Sequence, residues 1–302
     1  MHVASRDRLD QRIGGVTSRF SGRLAFAAKN LATGEEVVVD ADTMYPTASV
    51  IKVVILAEVF AQAEEGRLRL DERVEVGPSD VVLGSGILRD LMPGLQPTVH
   101  DLAMLMVIVS DNTATNLLID RVGGVDIINQ RIHQAYGVRS VVLRNRIDFE
   151  KIGDDVRRLA EATPRGLMQL MELMETGRLV SPQACAGMHH IMSRQLYLDQ
   201  VPRYFSYNPF IKELQQPDDF TVACKTGFFP GTRVDTGVIT TPAAKIVYAA
   251  MAHGSQDTGM SVENEAAIAN GVLGRLVLEY WWPEATARGA VLPSPYFESL
   301  AR

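Results

Sequence analysis

Residues 49–64 form an unbroken run of helix formers, and Val50, Ile51, Val53, Val54, Ile55, Leu56, Val59 and Phe60 leave that run almost no polar face. A helix with one apolar stripe can lie on a surface, but one that is apolar all round has to be enclosed by other elements. The segment therefore demands a fold with a helix at its centre and enough chain to cover it on every side. The 302 residues, 46% of them apolar, supply that much chain, on the scale of about two domains. The longest uninterrupted apolar run, residues 102–109, falls far short of the ~20 residues a membrane span needs, so no transmembrane helix and no membrane partner are expected.

The elements around the central helix change character along the chain. Leu24 and Phe26 on one side, and Val37, Val38 and Val39 on the other, flank a polar turn centred on Thr33-Gly34, which predicts a β-hairpin over 23–40 closed by Pro46. Gly66 and the charged stretch 67–72 end the central helix, and 77–96 reads as loops around one short helix at 87–91. Gly84-Ser85-Gly86 begins like a dinucleotide fingerprint, but Arg89 stands where the third glycine belongs, so it reads as a turn. Thr98 and Asp101 predict a capping box before a helix at 102–109, which Ser110-Asp111-Asn112 breaks. Asn112 or Thr113 can cap the next helix, 114–121, which stops at Gly123-Gly124. A polar stretch fills 144–161, after which Thr163-Pro164 and Ser181-Pro182 each place a capping residue before a proline at the first helical position. Met168, Met171 and Met174 read as core packing on the first of these helices.

The last third holds β-branched runs at 220–224, 234–240 and 246–251 and an amphipathic helix at 262–281. The expected class is α/β (α+β): an antiparallel sheet of N- and C-terminal strands flanked by helices, with an all-helical unit inserted between them. The boundaries are 1–45 with 201–302 for the discontinuous sheet domain and 46–200 for the helical one, with the active site between them.

Charge and cysteine usage narrow the chemistry. Lys plus Arg is 30 against 36 Asp plus Glu, a net charge of −6 without a basic cluster, so nucleic acid is not an expected partner. Cys185 and Cys224 show no paired spacing, and the neighbours His189 and His190 point about 100° apart on a helix, so neither a disulfide framework nor a metal site is expected. No cofactor is implied, and a monomer is expected. The first fifteen residues carry Arg and Asp where a leader peptide would be apolar, which places the chain as written in the cytoplasm, or in the periplasm or outside if a leader was removed.

Three short words can carry chemistry. Ser49 and Lys52 lie one helical turn apart, where an amine can reach a hydroxyl, and Lys52 is the only cation in the apolar run 50–57. Desolvation drives a lysine toward its neutral, proton-accepting form, and such an amine can activate a serine; the alternative is a capping serine followed by a lysine that reaches back to solvent. Ser110-Asp111-Asn112 sits at a break between helices, where polar residues also serve as caps. Lys225-Thr226-Gly227 follows a predicted strand. Each alone is commonplace.

Taken in order, S-x-x-K, S-D-N and K-T-G resemble the signature of class A β-lactamases and penicillin-binding proteins. The resemblance extends to Tyr45-Pro46, the run from Asp111 to Leu118, Thr163-Pro164 and Gly231-Thr232-Arg233. It implies that Ser49 attacks an amide carbonyl, Lys52 accepts its proton and Ser110 relays a proton to the leaving nitrogen. It also implies that Asn112 holds the substrate's side-chain amide, and that Lys225, Thr226 and Arg233 bind a carboxylate on a small β-lactam or peptide-like substrate. Backbone N–H groups of Ser49 and of Phe228, which follows Gly227, would form the oxyanion hole.

One departure bears on turnover. Class A enzymes carry a Glu-x-x-Leu-Asn loop whose glutamate activates the deacylating water, and no such string occurs between Arg144 and Pro164. Matching Arg146 to the arginine before that glutamate puts Asp148 at its place with Glu150 just beyond, both equally readable as solvated carboxylates, and Glu161 as a partner for Arg146. The implied function is a serine hydrolase of this kind. The alternatives are a penicillin-binding-type D-Ala peptidase or esterase of the same fold, and a sensor that stays acylated.

Overall fold

The computed structural model describes residues 6–92, 94–209 and 220–292. The first helix, α1 (Arg6–Arg19), leads into β1 (Arg23–Asn30) and β2 (Glu36–Val39), the expected hairpin, with Phe26 opposite Val39 and Lys29 opposite Glu36. Tyr45–Pro46 forms a two-residue strand, β3, where Pro46 was expected only to close the hairpin. One 3-10 turn over Ala48–Ile51 then feeds α2 (Lys52–Glu64). Burial of α2 extends from Lys52 through Gln62 without a gap, as its lack of a polar face requires.

The helices α3 (Val99–Ile108), α4 (Asn112–Arg121) and α5 (Val125–Gln130) wrap α2, and β4 (Val141–Leu143), the single-turn α6 (Phe149–Ile152) and β5 (Ala160–Ala162) follow. Strands β3, β5 and β4 make a small antiparallel sheet. The Thr98–Asp101 capping box closes in both directions at the start of α3. The cap of α4 is Asp111, whose Oδ1 accepts the Ala114 N–H at 2.9 Å, in place of Asn112 or Thr113. Thr163 and Ser181 cap α7 (Pro164–Glu175) and α8 (Pro182–Met192), each with proline in the first turn.

The three long strands are β6 (Thr221–Phe229), β7 (Thr232–Thr240) and β8 (Lys245–His253), and α9 (Glu265–Trp281) follows them. The main sheet runs β2-β1-β8-β7-β6, all neighbours antiparallel, so that the two ends of the chain meet at the β1–β8 pair and β6 lies at an edge. Its two faces bury different partners. Ala223, Val234, Val247 and Met251 join the helical core with Met168, Met171 and Met174, while Cys224, Ile246, Tyr248 and Ala250 pack with α1, α9 and Trp282. Cys185 belongs to the first core and Cys224 to the second, both as buried free thiols.

α9 departs from expectation. It is buried along almost its whole length, because α1 and the 3-10 turn Val201–Tyr204 cover the side turned away from the sheet. Among the described residues no helix is long and apolar enough to cross a membrane.

Candidate active site

Ser49 stands at a strained junction. Ala48 before it takes φ +44°, a left-handed conformation that costs an alanine about 1–3 kcal/mol, and the chain then turns straight into α2. Ala48 and Val50 are buried while Ser49 is partly exposed and lines a cleft. Its amide belongs to the first turn of a helix, where N–H groups have no helical acceptor and are free to meet developing negative charge. Edge strand β6 passes so close that a Cβ on Gly227 would lie 2.8 Å from Ser49 N and 3.0 Å from Val50 N, an approach open only to glycine.

Lys52 points across the cleft floor to the turn between α3 and α4. Its Nζ lies 2.6 Å from the Ser110 carbonyl, 3.1 Å from Ser110 Oγ and 2.9 Å from Asn112 Oδ1, all buried. Ser49 Oγ, by contrast, has no hydrogen-bond partner among the described residues, so the expected direct serine–amine hydrogen bond is not made and the Lys52 amine is engaged by the Ser110 turn instead. Burial, followed by the nearby charge of Lys225, holds the Lys52 amine well below the ordinary lysine range. A neutral amine has two hydrogens and a lone pair. The carbonyl and the amide oxygen can only accept, so the Ser110 hydroxyl is the one contact of the three able to reverse and donate to Nζ.

Asp111 is structural: its carboxylate takes the N–H groups of Ile87 at 2.7 Å, Leu88 at 2.9 Å and Ala114 at 2.9 Å, and so ties the Gly84-Ser85-Gly86 turn to α4. That turn, read from sequence only as a turn, belongs to the site. Ser85 Oγ donates to the Ser110 carbonyl at 2.7 Å and lies 3.2 Å from Asn112 Oδ1, and Asn112 Nδ2 donates to the Leu83 carbonyl at 2.9 Å.

Across the cleft, Lys225 is fully buried with Nζ 2.7 Å from the Thr226 carbonyl, and burial pushes its amine down to about 7. Thr226 Oγ1 is buried without a hydrogen-bond partner. Arg233 extends under the Phe228 ring, 6.0 Å from its centroid, and its guanidinium donates to the carbonyls of Phe229, Thr232 and Gly259. The structure thus brings Ser49, Lys52, Ser110, Asn112, Lys225, Thr226, Gly227, Phe228 and Arg233 to one region.

It does not bring Asp148 and Glu150 there. The Asp148 carboxylate accepts the N–H groups of Glu150 and Lys151 as the cap of α6, and those bonds, foremost that from Lys151, hold it below the usual carboxylate range. Glu150 is exposed. The cleft is lined on this side by Ile147, Phe149, Ile152, Val156 and Leu159, and opposite by Phe228, Phe229, Pro230 and Met260, with no carboxylate among its lining residues. Phe149 reaches across toward Gly84: a Cβ there would lie 3.1 Å from the ring and 2.7 Å from Asn112 Nδ2. Sequence reasoning missed this apolar face, although the spacing of Ile147, Phe149 and Ile152 within a polar stretch carried the signal. The loop is pinned differently as well: Glu161 pairs with Arg144 at 2.6 Å, while Arg146 reaches Asp120 at 3.0 Å. A larger hollow over α2, α3 and α8, lined by Phe60, Leu70, His100 and His190, holds none of these groups.

Comparison with known proteins bears on the fold and the family. Among solved structures, a β-lactamase from Sphaerobacter thermophilus DSM 20745 superposes with a TM-score of 0.81 at 26% identity, covering 92% of this chain and 98% of that one. PBP-A superposes with a TM-score of 0.77 at 27% identity, covering 94% and 97%. Among curated proteins, Beta-lactamase OXY-2 of Klebsiella oxytoca is 32% identical over 122 residues, 40% of this chain and 41% of that protein. Beta-lactamase L2 of Stenotrophomonas maltophilia is 37% identical over 103 residues, 34% of each. The matched segments thus span about two-fifths or less of these curated relatives. The model of the beta-lactamase enzyme family matches residues 8–281, nearly the whole chain, and the protein belongs to that family.

Proposed function

We propose that the protein is a serine hydrolase that opens a β-lactam, or a similar amide beside a carboxylate, through an acyl-serine at Ser49. The observation that carries this is the fully buried Lys52 amine, held below its ordinary range and in contact with Ser110 Oγ. Ser49 Oγ attacks the carbonyl carbon and its proton passes to the neutral Lys52 amine. Negative charge on the carbonyl oxygen is met by the N–H groups of Ser49 and Phe228. The C–N bond then breaks as Ser110 delivers a proton to the leaving nitrogen, Ser110 being reprotonated from Lys52. Lys225, Thr226 and Arg233 hold the carboxylate, and Asn112 the amide of the acyl group. The apolar cleft face favours acyl groups with aromatic or branched side chains.

A second reading concerns release. The cleft lining carries no carboxylate to activate water, and Phe149 occupies the inner face of the loop. This favours an acyl-enzyme that forms readily and is released slowly, the behaviour of a penicillin-binding-type peptidase or esterase. A mutant of PBP-A has itself been captured as an acyl-enzyme complex with penicillin G; that structure is 26% identical to this chain, with a TM-score of 0.77 and coverage of 93% of this chain and 97% of that one.

Mixing the protein with a chromogenic β-lactam, while following colour and intact mass together, tests both readings. One equivalent of adduct followed by slow turnover is the expected result, and Ser49→Ala abolishes the adduct. Rapid turnover without accumulated adduct would refute slow release, and absence of any adduct would refute the β-lactam assignment.

A further inference from the structure

Behind the sheet, on the side away from Ser49, two buried carboxamides meet the backbone of both strands that frame the carboxylate site. Gln200 is 1% exposed and donates from Nε2 to the Gly227 carbonyl at 3.2 Å. Asn270 of α9, fully buried, donates from Nδ2 to Gln200 Oε1 at 3.0 Å and to the Arg233 carbonyl at 3.2 Å. The amide orientations follow from chemistry. Gly227 O and Arg233 O can only accept, so each carboxamide must turn its NH2 toward its carbonyl, even though this leaves Asn270 Oδ1 buried without a partner. The approach is built into α9. A Cβ on Gly271 would lie 3.0 Å from Gln200 O, and one on Gly274 would lie 2.5 Å from Val201 O, so these two glycines let the segment seat directly on the helix.

We propose that Gln200, oriented by Asn270, is a positioning residue that aims the Phe228 N–H at the acyl carbonyl oxygen on Ser49. The proposal rests on the acyl-serine reading above. In a trans peptide the carbonyl of residue 227 and the N–H of residue 228 point in opposite directions across one rigid plane. A donor that fixes Gly227 O from behind the sheet therefore fixes the tilt of the Phe228 N–H on the cleft side. Gly227 is paired with Val234 of β7, and because no strand among the described residues lies on the other edge of β6, the Gln200 bond is the second hold on this peptide plane, applied from outside the sheet. The other oxyanion donor, Ser49 N, is held by its helix turn and by the close approach of Gly227.

The test uses the full chain and benzylpenicillin labelled with 13C at the β-lactam carbonyl. In Gln200→Met, which keeps side-chain length and removes the donor, the ester carbonyl band of the acyl-enzyme moves to higher wavenumber. Acylation slows by about tenfold to a hundredfold, with the dissociation constant for the initial complex changed less than about threefold. Gln200→Glu presents a carboxyl that donates only when protonated, so its acylation deficit relative to the parent protein shrinks as pH falls, a response that loosened packing would not give; it also serves if the methionine variant fails to fold. An unmoved carbonyl band with unchanged acylation in a folded variant overturns the positioning role alone. Absence of any adduct on the parent protein overturns the acyl-serine reading, and this role with it.

Discussion

Asp148 occupies the loop position where a water-activating carboxylate was expected, yet its oxygens are taken up by the N–H groups of Glu150 and Lys151 and by an ion pair with Lys151 at 3.4 Å. A carboxylate held low by such bonds is a weak base and here serves as a helix cap. Asp148→Asn preserves the cap and is expected to leave the acyl-enzyme's lifetime unchanged within about twofold, while Asp148→Ala costs about 1 kcal/mol of stability for the lost cap. Intact-mass decay of the adduct and urea unfolding check the two halves; a strongly prolonged adduct in the asparagine variant would restore Asp148 as the base. That S-x-x-K, S-D-N and K-T-G converge on one cleft was legible because the signal lies in side-chain type and spacing. Gln200 and Phe149 were not, because one acts through a backbone carbonyl far along the chain and the other through the direction its ring takes from a single-turn helix.

At the scale of elements, the site depends on how closely β6 rides over the start of α2. Gly227→Ala would place its methyl 2.8 Å from both Ser49 N and Thr47 O, and these backbone atoms belong to a turn already strained at Ala48. The strand has to move away, taking Phe228 and Thr226 with it. Acylation is expected to fall about a hundredfold, the scale of a 1 Å misplacement, while stability falls by about 1–3 kcal/mol. Stopped-flow acylation and thermal unfolding report the two effects, and near-normal acylation would show that the strand has slack. The elements themselves were readable where burial enforces a pattern, as in α2 and in the caps of α7 and α8. α1 was not recognised: Leu9, Ile13 and Val16 mark its buried face, but Gly14-Gly15 weaken the helical signal. α9 looked amphipathic because its two-sided burial comes from α1 and the turn at Val201–Tyr204, neither of which is a sequence neighbour.

For the molecule as a whole, two fully buried lysines at one cleft are a standing cost to stability. Lys225 falls from its ordinary 10.5 to about 7, and Lys52 also lies well below its ordinary value, in both cases chiefly through burial. The sign follows from proton counting: between pH 7 and the ordinary lysine value the unfolded chain binds protons on these amines that the folded chain does not, so stability rises with pH there. From about pH 9 the rise slackens, because Cys224, whose thiol burial pushes well above its ordinary value, begins to ionise in the unfolded chain but not in the folded one, which offsets part of the gain from the two lysines. For Lys225 the displacement corresponds to about 4 kcal/mol at pH 7. Lys225→Met keeps much of the buried chain volume and removes the ionisable group, at the loss of the bond to the Thr226 carbonyl. The variant is expected to be about 1–2 kcal/mol more stable at pH 7 while losing carboxylate binding, the trade often found at functional sites. Its stability should rise less steeply between pH 7 and 9, by about 0.7 kcal/mol per pH unit at pH 7, where the folded amine is half protonated, and by about 1.4, the equivalent of one proton, toward pH 9. Urea unfolding at pH 7, 8 and 9 measures that slope directly. A slope equal to that of the parent protein would mean that Lys225 remains protonated in the folded cleft, and that its charge is balanced by groups the cleft has not been credited with.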